Sequence, residues 1–92
     1  MVVTLEEMKE YLRVDFPDED DLIGGLLLTA EKICMDVARV PDEAGLLADA
    51  DRARTAVMYA GAYLYEHREE ADHRELMLTL RALLFGIRRE EF

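Results

Sequence analysis

Tryptophan is absent from this chain, cysteine occurs once, proline twice and glycine five times in 92 residues. A lone cysteine excludes an internal disulfide and fits a reducing compartment. So few prolines and glycines leave little sequence that reads as loop. Long hydrophobic runs are also missing. The longest, Ala56 to Tyr65, is about half of what crossing a bilayer needs. Met1-Val2-Val3 runs straight into an acidic helix, with no basic leader or apolar core of a signal peptide. The expectation is a cytosolic chain with no membrane association. Basic residues are scarce too: 11 against 21 acids, for a formal net charge of −10. A chain of that charge repels phosphate backbones, so specific nucleic-acid binding is not expected.

What is present is apolar and unevenly charged. Hydrophobic residues make up 51% of the sequence, a high share for one small domain, whose surface is proportionally large. Residues 1–51 carry fourteen acids and four bases, and residues 52–92 carry seven of each. All the net charge therefore sits in the first half, as a solvated acidic face or as a surface that lies near DNA without adhering to it.

The periodicity is helical almost throughout, which predicts an all-α fold: a small bundle of about four helices in a single domain, 1–92. Thr4-Leu5-Glu6-Glu7 has the form of a capping box, flanked by Val3 and Met8 as a hydrophobic staple. Leu5, Met8 and Leu12 then share a face, so the spacing predicts a first helix over about 4–13. Pro17 breaks the chain and Asp18 is placed to cap a second helix over about 18–38. Its stripe comprises Leu22, Ile23, Leu26, Leu27, Ala30, Ile33, Cys34 and Val37. Pro41 to Gly45 reads as the one real linker. A third helix is expected over about 49–69 and a fourth over about 74–87, with 88–92 as a charged tail. The fourth buries Leu76, Leu80, Leu83, Leu84 and Ile87, and it carries Arg74, Arg81 and Arg88 as a basic stripe.

The third helix is unusual in being apolar all round over AVMYAGAYLY (Ala56 to Tyr65). Ala53, Val57, Ala60, Gly61 and Leu64 form one small-residue face suited to close packing. Met58, Tyr59, Ala62, Tyr63 and Tyr65 occupy the rest. A helix with no polar face is either central to a large core or covered by a second chain, and 92 residues do not make a large core. Those five residues are therefore the candidate subunit interface. Arg88, Arg89 and Phe92 are the candidate docking tail.

Catalytic chemistry finds no support in the residue pattern. The acids from Asp15 to Asp21 lack the central glycine and the spacing of an EF-hand loop. His67 and His73 have no partners at zinc-ligand spacing and read as exposed histidines at helix ends. Cys34 sits on an apolar stripe and reads as a small core residue. Gly24-Gly25 lacks the Lys-Ser/Thr of a phosphate loop. The expectation is a non-enzymatic protein without metal or cofactor.

Four segments together resemble one family. TLEEMKEYLRVD (Thr4 to Asp15) and DEDDLIGGLLLTAEKI (Asp18 to Ile33) are similar to the opening of small phage head–tail connector proteins, also described as DNA-packaging or head-completion proteins. That opening commonly reads "LEEVKEYLRID", then "DEDALI", then a helix ending "AAEYI". AYLYEHREEAD (Ala62 to Asp72) resembles the family's "W/LYENREA" stretch, and LRALLFGIRRE (Leu80 to Glu90) its "LLxPYR" ending. Two places depart from the pattern. The segment from Val40 to Asp51 is shorter than in many relatives, and Phe85-Gly86-Ile87 stands where Pro-Tyr is common.

The resemblance implies a ring of roughly twelve subunits beneath the portal vertex of a phage or prophage. Such a ring extends the DNA channel without binding DNA specifically, and docks the portal protein and the next head-completion or tail protein. The implied location is the virion head–tail junction, after synthesis in the bacterial cytoplasm. The alternative from composition and periodicity is a small helical interaction module, regulator- or antitoxin-like, acting as a dimer.

Overall fold

Helix formation begins where the sequence marks it. In the computed structural model, which describes residues 2–69 and 72–86, Thr4 caps α1 (Leu5–Leu12). Its hydroxyl accepts the Glu7 N–H at 3.1 Å, and the Glu7 carboxylate accepts the Thr4 N–H at 3.1 Å. Two of the orphan amides at the helix start are thereby satisfied. Val3 and Met8, on either side of the cap, are both buried.

α1 and α2 (Asp20–Ala38) end in the same way. Arg13 and Arg39 turn left-handed at φ 60° and 58°, and each is followed by a buried valine, Val14 or Val40. The valine amides bond back five residues, to the carbonyls of Lys9 and Met35, so the last turns are closed and an apolar side chain seals each exit. The start of α2 differs from expectation. Pro17–Glu19 forms a 3₁₀ turn, and Asp18 lies inside it instead of capping the helix.

The linker expected from Pro41 contains a short helix, α3 (Glu43–Leu46). Asp42 caps it through a 3.0 Å bond from the Gly45 amide, and Leu46 drops fully into the core. Asp49 caps α4 (Ala50–Glu66), accepting the Arg52 amide at 3.3 Å. α4 stops three residues short of the expected Glu69, and α5 (Arg74–Leu83) stops before Leu84.

The result is an all-α bundle, with no strand among the described residues. α2 and α4 form its spine and make the most extensive contact. Ile23, Leu27, Ala30, Cys34 and Ala38 meet Ala53, Ala56, Val57, Ala60 and Leu64 in one core. The small residues of α4 permit close approach: a Cβ on Gly61 would lie 3.1 Å from the Met8 sulfur. α5 and the residue that caps its end close the core with Leu76, Leu80 and Leu84, all fully buried. Each such leucine contributes about 1.5–3 kcal/mol of burial free energy. Among the described residues no helix is long and apolar enough to cross a membrane.

A buried polar clamp fixes the N-terminal segment. The Val2 amide donates to the Glu31 carboxylate at 3.1 Å, and the Val2 carbonyl accepts from Arg54 at 3.3 Å. Glu31 is only 7% exposed, on the core side of α2. Both polar atoms of Val2 are thus satisfied, which allows Val2 and Val3 to be buried.

Candidate functional site

α1 is only two turns long, and α5 reaches the end of α4 from another side. Between them the last two turns of α4 keep a face that the chain's own helices only half cover. The gap is an open groove of about 460 Å³. Tyr59, Ala62, Tyr63 and Tyr65 of α4 line it, with Glu66 and His67 at the helix end. Tyr11, Leu12 and Arg13 form the α1 wall, and Glu75 of α5 stands opposite.

Aromatic packing holds the groove in shape. Tyr63 is its centre: the His67 ring stacks on it at 4.1 Å, the His73 ring meets it edge-on at 5.9 Å, and Tyr59 lies 6.5 Å away. His67 also brings its Nδ1 to 2.9 Å from the Tyr63 carbonyl. Both histidines stand at helix ends, as expected, but they are half-buried and not exposed. They are braces for a tyrosine.

Tyr65 is tied to the start of α2. Its hydroxyl donates to Glu19 at 2.5 Å, and Arg68 lies 4.8 Å over its ring while pairing with Glu19 at 3.5 Å. The hydrogen bond to the Glu19 carboxylate holds the phenol above its usual range, because ionising it would set two negative charges together.

Of the five interface candidates, four line the groove. Met58 sits around the helix, beside a shallow depression shared with Glu7, Glu10, Tyr11 and Arg54. All five are half-buried, so each keeps surface in reserve. Arg88, Arg89 and Phe92 lie outside the described residues. Tyr11, Arg13 and Glu75 were not foreseen. Tyr11 left a signal, an aromatic off the Leu5–Met8–Leu12 stripe, and it is 53% exposed. Glu31 left another, a charge in register with Leu27 and Cys34.

Cys34 is fully buried, and desolvation together with the Glu31 charge pushes its thiol up to about 12. A thiol so placed stays protonated near neutral pH and is no nucleophile. Among the described residues no three His, Cys, Asp or Glu side chains are grouped to hold a metal ion. The groove itself offers ring faces, two aliphatic residues, Leu12 and Ala62, and the charged groups of Glu66, Glu75 and Arg13. That combination suits an apolar or aromatic side chain accompanied by a cation. Compared with known protein families, curated proteins and solved structures, the chain finds no match.

Proposed function

We propose that this chain is a structural subunit of a phage or prophage head–tail connector, assembling side by side into a ring beneath the portal. The observation that carries this reading is the half-covered aromatic face of α4, with Tyr59, Tyr63 and Tyr65 held in a groove. Tyrosines of this kind, rigid and amphipathic, dominate the energetics of protein interfaces. The resemblance of the Thr4–Asp15, Asp18–Ile33, Ala62–Asp72 and Leu80–Glu90 segments to connector proteins supplies the class of assembly.

In this reading the ring extends the DNA channel, and its other surfaces meet the portal protein on one side and a head-completion or tail protein on the other. The net charge of −10 suits a conduit, since each cationic contact to phosphate would hold the passing duplex back. Negative-stain microscopy of the concentrated protein, alone and with a portal complex, tests the proposal. Closed rings with a central channel are expected. A tight dimer with no larger species at any concentration would contradict it and favour an interaction module.

A further inference from the structure

The groove leaves its tyrosine rings half-covered, and α5 with the turn that follows it presents side chains of matching chemistry. Arg74, Leu78 and Arg81 follow one another at spacings of four and three on one face of α5, and Phe85 stands in the turn two residues past its end. All four are exposed, and the apolar pair is unusually so: Leu78 is 58% and Phe85 73% exposed. The backbone around Phe85 is nevertheless held in place. Leu84 before it is fully buried. Gly86 after it lies against the Arg52 guanidinium, which takes the space a Cβ would need.

We propose that Phe85 of a second copy seats in the tyrosine-lined groove, with Arg81 of that copy at the carboxylate rim formed by Glu66 and Glu75. The inference rests on the ring reading and specifies its contact. A Phe ring among Tyr59, Tyr63 and Tyr11 finds the edge and face arrangements aromatic rings prefer. Arg81, four residues before Phe85, brings positive charge to the two exposed acids of a rim that also carries Arg13.

Placement excludes the same contact within one molecule. Gly86 lies against Arg52, in the first turn of α4, whereas the groove begins at Tyr59 and ends at His67. Arg52 lies about 10 Å of helix from Tyr59 and about 16 Å from Tyr63, so Phe85, next to the buried Leu84, stands away from the centre of the groove. Projection and groove therefore sit at opposite ends of α4. Copies joined projection to groove continue head to tail, and such a heterologous contact closes into a ring when its rotation permits.

Sedimentation velocity on two variants and their mixture tests this contact, at low salt and at concentrations where the wild type assembles. Phe85→Asp removes the projection and Ala62→Arg fills the groove. Each is expected to remain helical by circular dichroism and to lose self-association by at least about tenfold. Glu66→Arg, at an exposed rim position, serves as a second groove variant should Ala62→Arg misfold. Mixed, the variants are expected to form a one-to-one species, since one intact projection meets one intact groove. Phe85→Tyr should assemble as the wild type does. If Phe85→Asp assembles normally, or the mixture stays monomeric while the wild type forms rings, the contact is wrong and the ring reading stands. If the wild type is monomeric throughout, alone and with a portal complex, both fall together.

Discussion

The Arg54 guanidinium, on α4, binds the same Glu7 carboxylate that closes the capping box of α1. One side chain thereby caps the start of a helix and also fixes that helix to the bundle. Arg54 simultaneously holds the Val2 carbonyl, so the N-terminal segment, α1 and α4 meet at a single cation.

This junction contributes to the acid sensitivity of the fold. The Arg54 hydrogen bond, aided by the Thr4 amide, lowers the Glu7 carboxyl from 4.5 to about 2. A group depressed in the folded state stabilises it fully above its unfolded pKa, and that contribution is lost as pH falls. The loss should therefore run from about pH 4.5 down to about pH 2. Urea midpoints measured across that window should drop, and Glu7→Gln should flatten the part of the slope due to this residue.

Cys34 should be silent in the native protein. Its burial predicts that Ellman's reagent labels it only through opening of the bundle, so labelling should accelerate sharply near the urea midpoint. Cys34→Ser places a hydroxyl in the same closed space and should cost about 1–3 kcal/mol in urea unfolding.

Adding one methyl group at different glycines should have opposite signs. Gly24 and Gly25 lie inside α2 with nothing within 4 Å of a built Cβ. Gly24→Ala and Gly25→Ala should each stabilise the isolated subunit by about 0.5–1 kcal/mol, by removing backbone freedom from the unfolded chain. At Gly45 a Cβ would stand 2.5 Å from the Val40 Cβ, which belongs to a buried side chain. Gly45→Ala should destabilise by about 1–3 kcal/mol. Thermal or urea unfolding of the three variants checks both signs.

The sequence reveals those parts of the fold that are decided locally. The Thr4–Glu7 box acts over three residues, and the α2 and α4 stripes follow from helical periodicity. Local signals also explain two misplacements. Asp18 has the composition of a cap, but Pro17 leads into a 3₁₀ turn that carries the chain past it. Asp42 has the composition of a linker residue, although an acid three residues before Gly45 marks the cap it provides.

What the pattern could not reveal are contacts set by how helices dock. Glu7 and Arg54 are 47 residues apart, Glu19 and Tyr65 46, and Val2 and Glu31 29. The groove was half legible for the same reason. Its α4 tyrosines stand out in an apolar helix, whereas Tyr11, Arg13 and Glu75 join them only through the crossing of α1 and α5 over α4.

The central claim is that the tyrosine face of α4 joins subunits instead of filling the monomer's own core. Sedimentation velocity and far-ultraviolet circular dichroism on Tyr59→Glu and Tyr63→Glu, measured on the same samples, test it most directly. A carboxylate in an open groove stays hydrated in the monomer but is desolvated at an interface, where an unpaired charge costs several kcal/mol. Both variants should keep wild-type helicity and sediment as monomers at concentrations where the wild type forms larger species. Outright unfolding of both, or assembly indistinguishable from wild type, would contradict the claim.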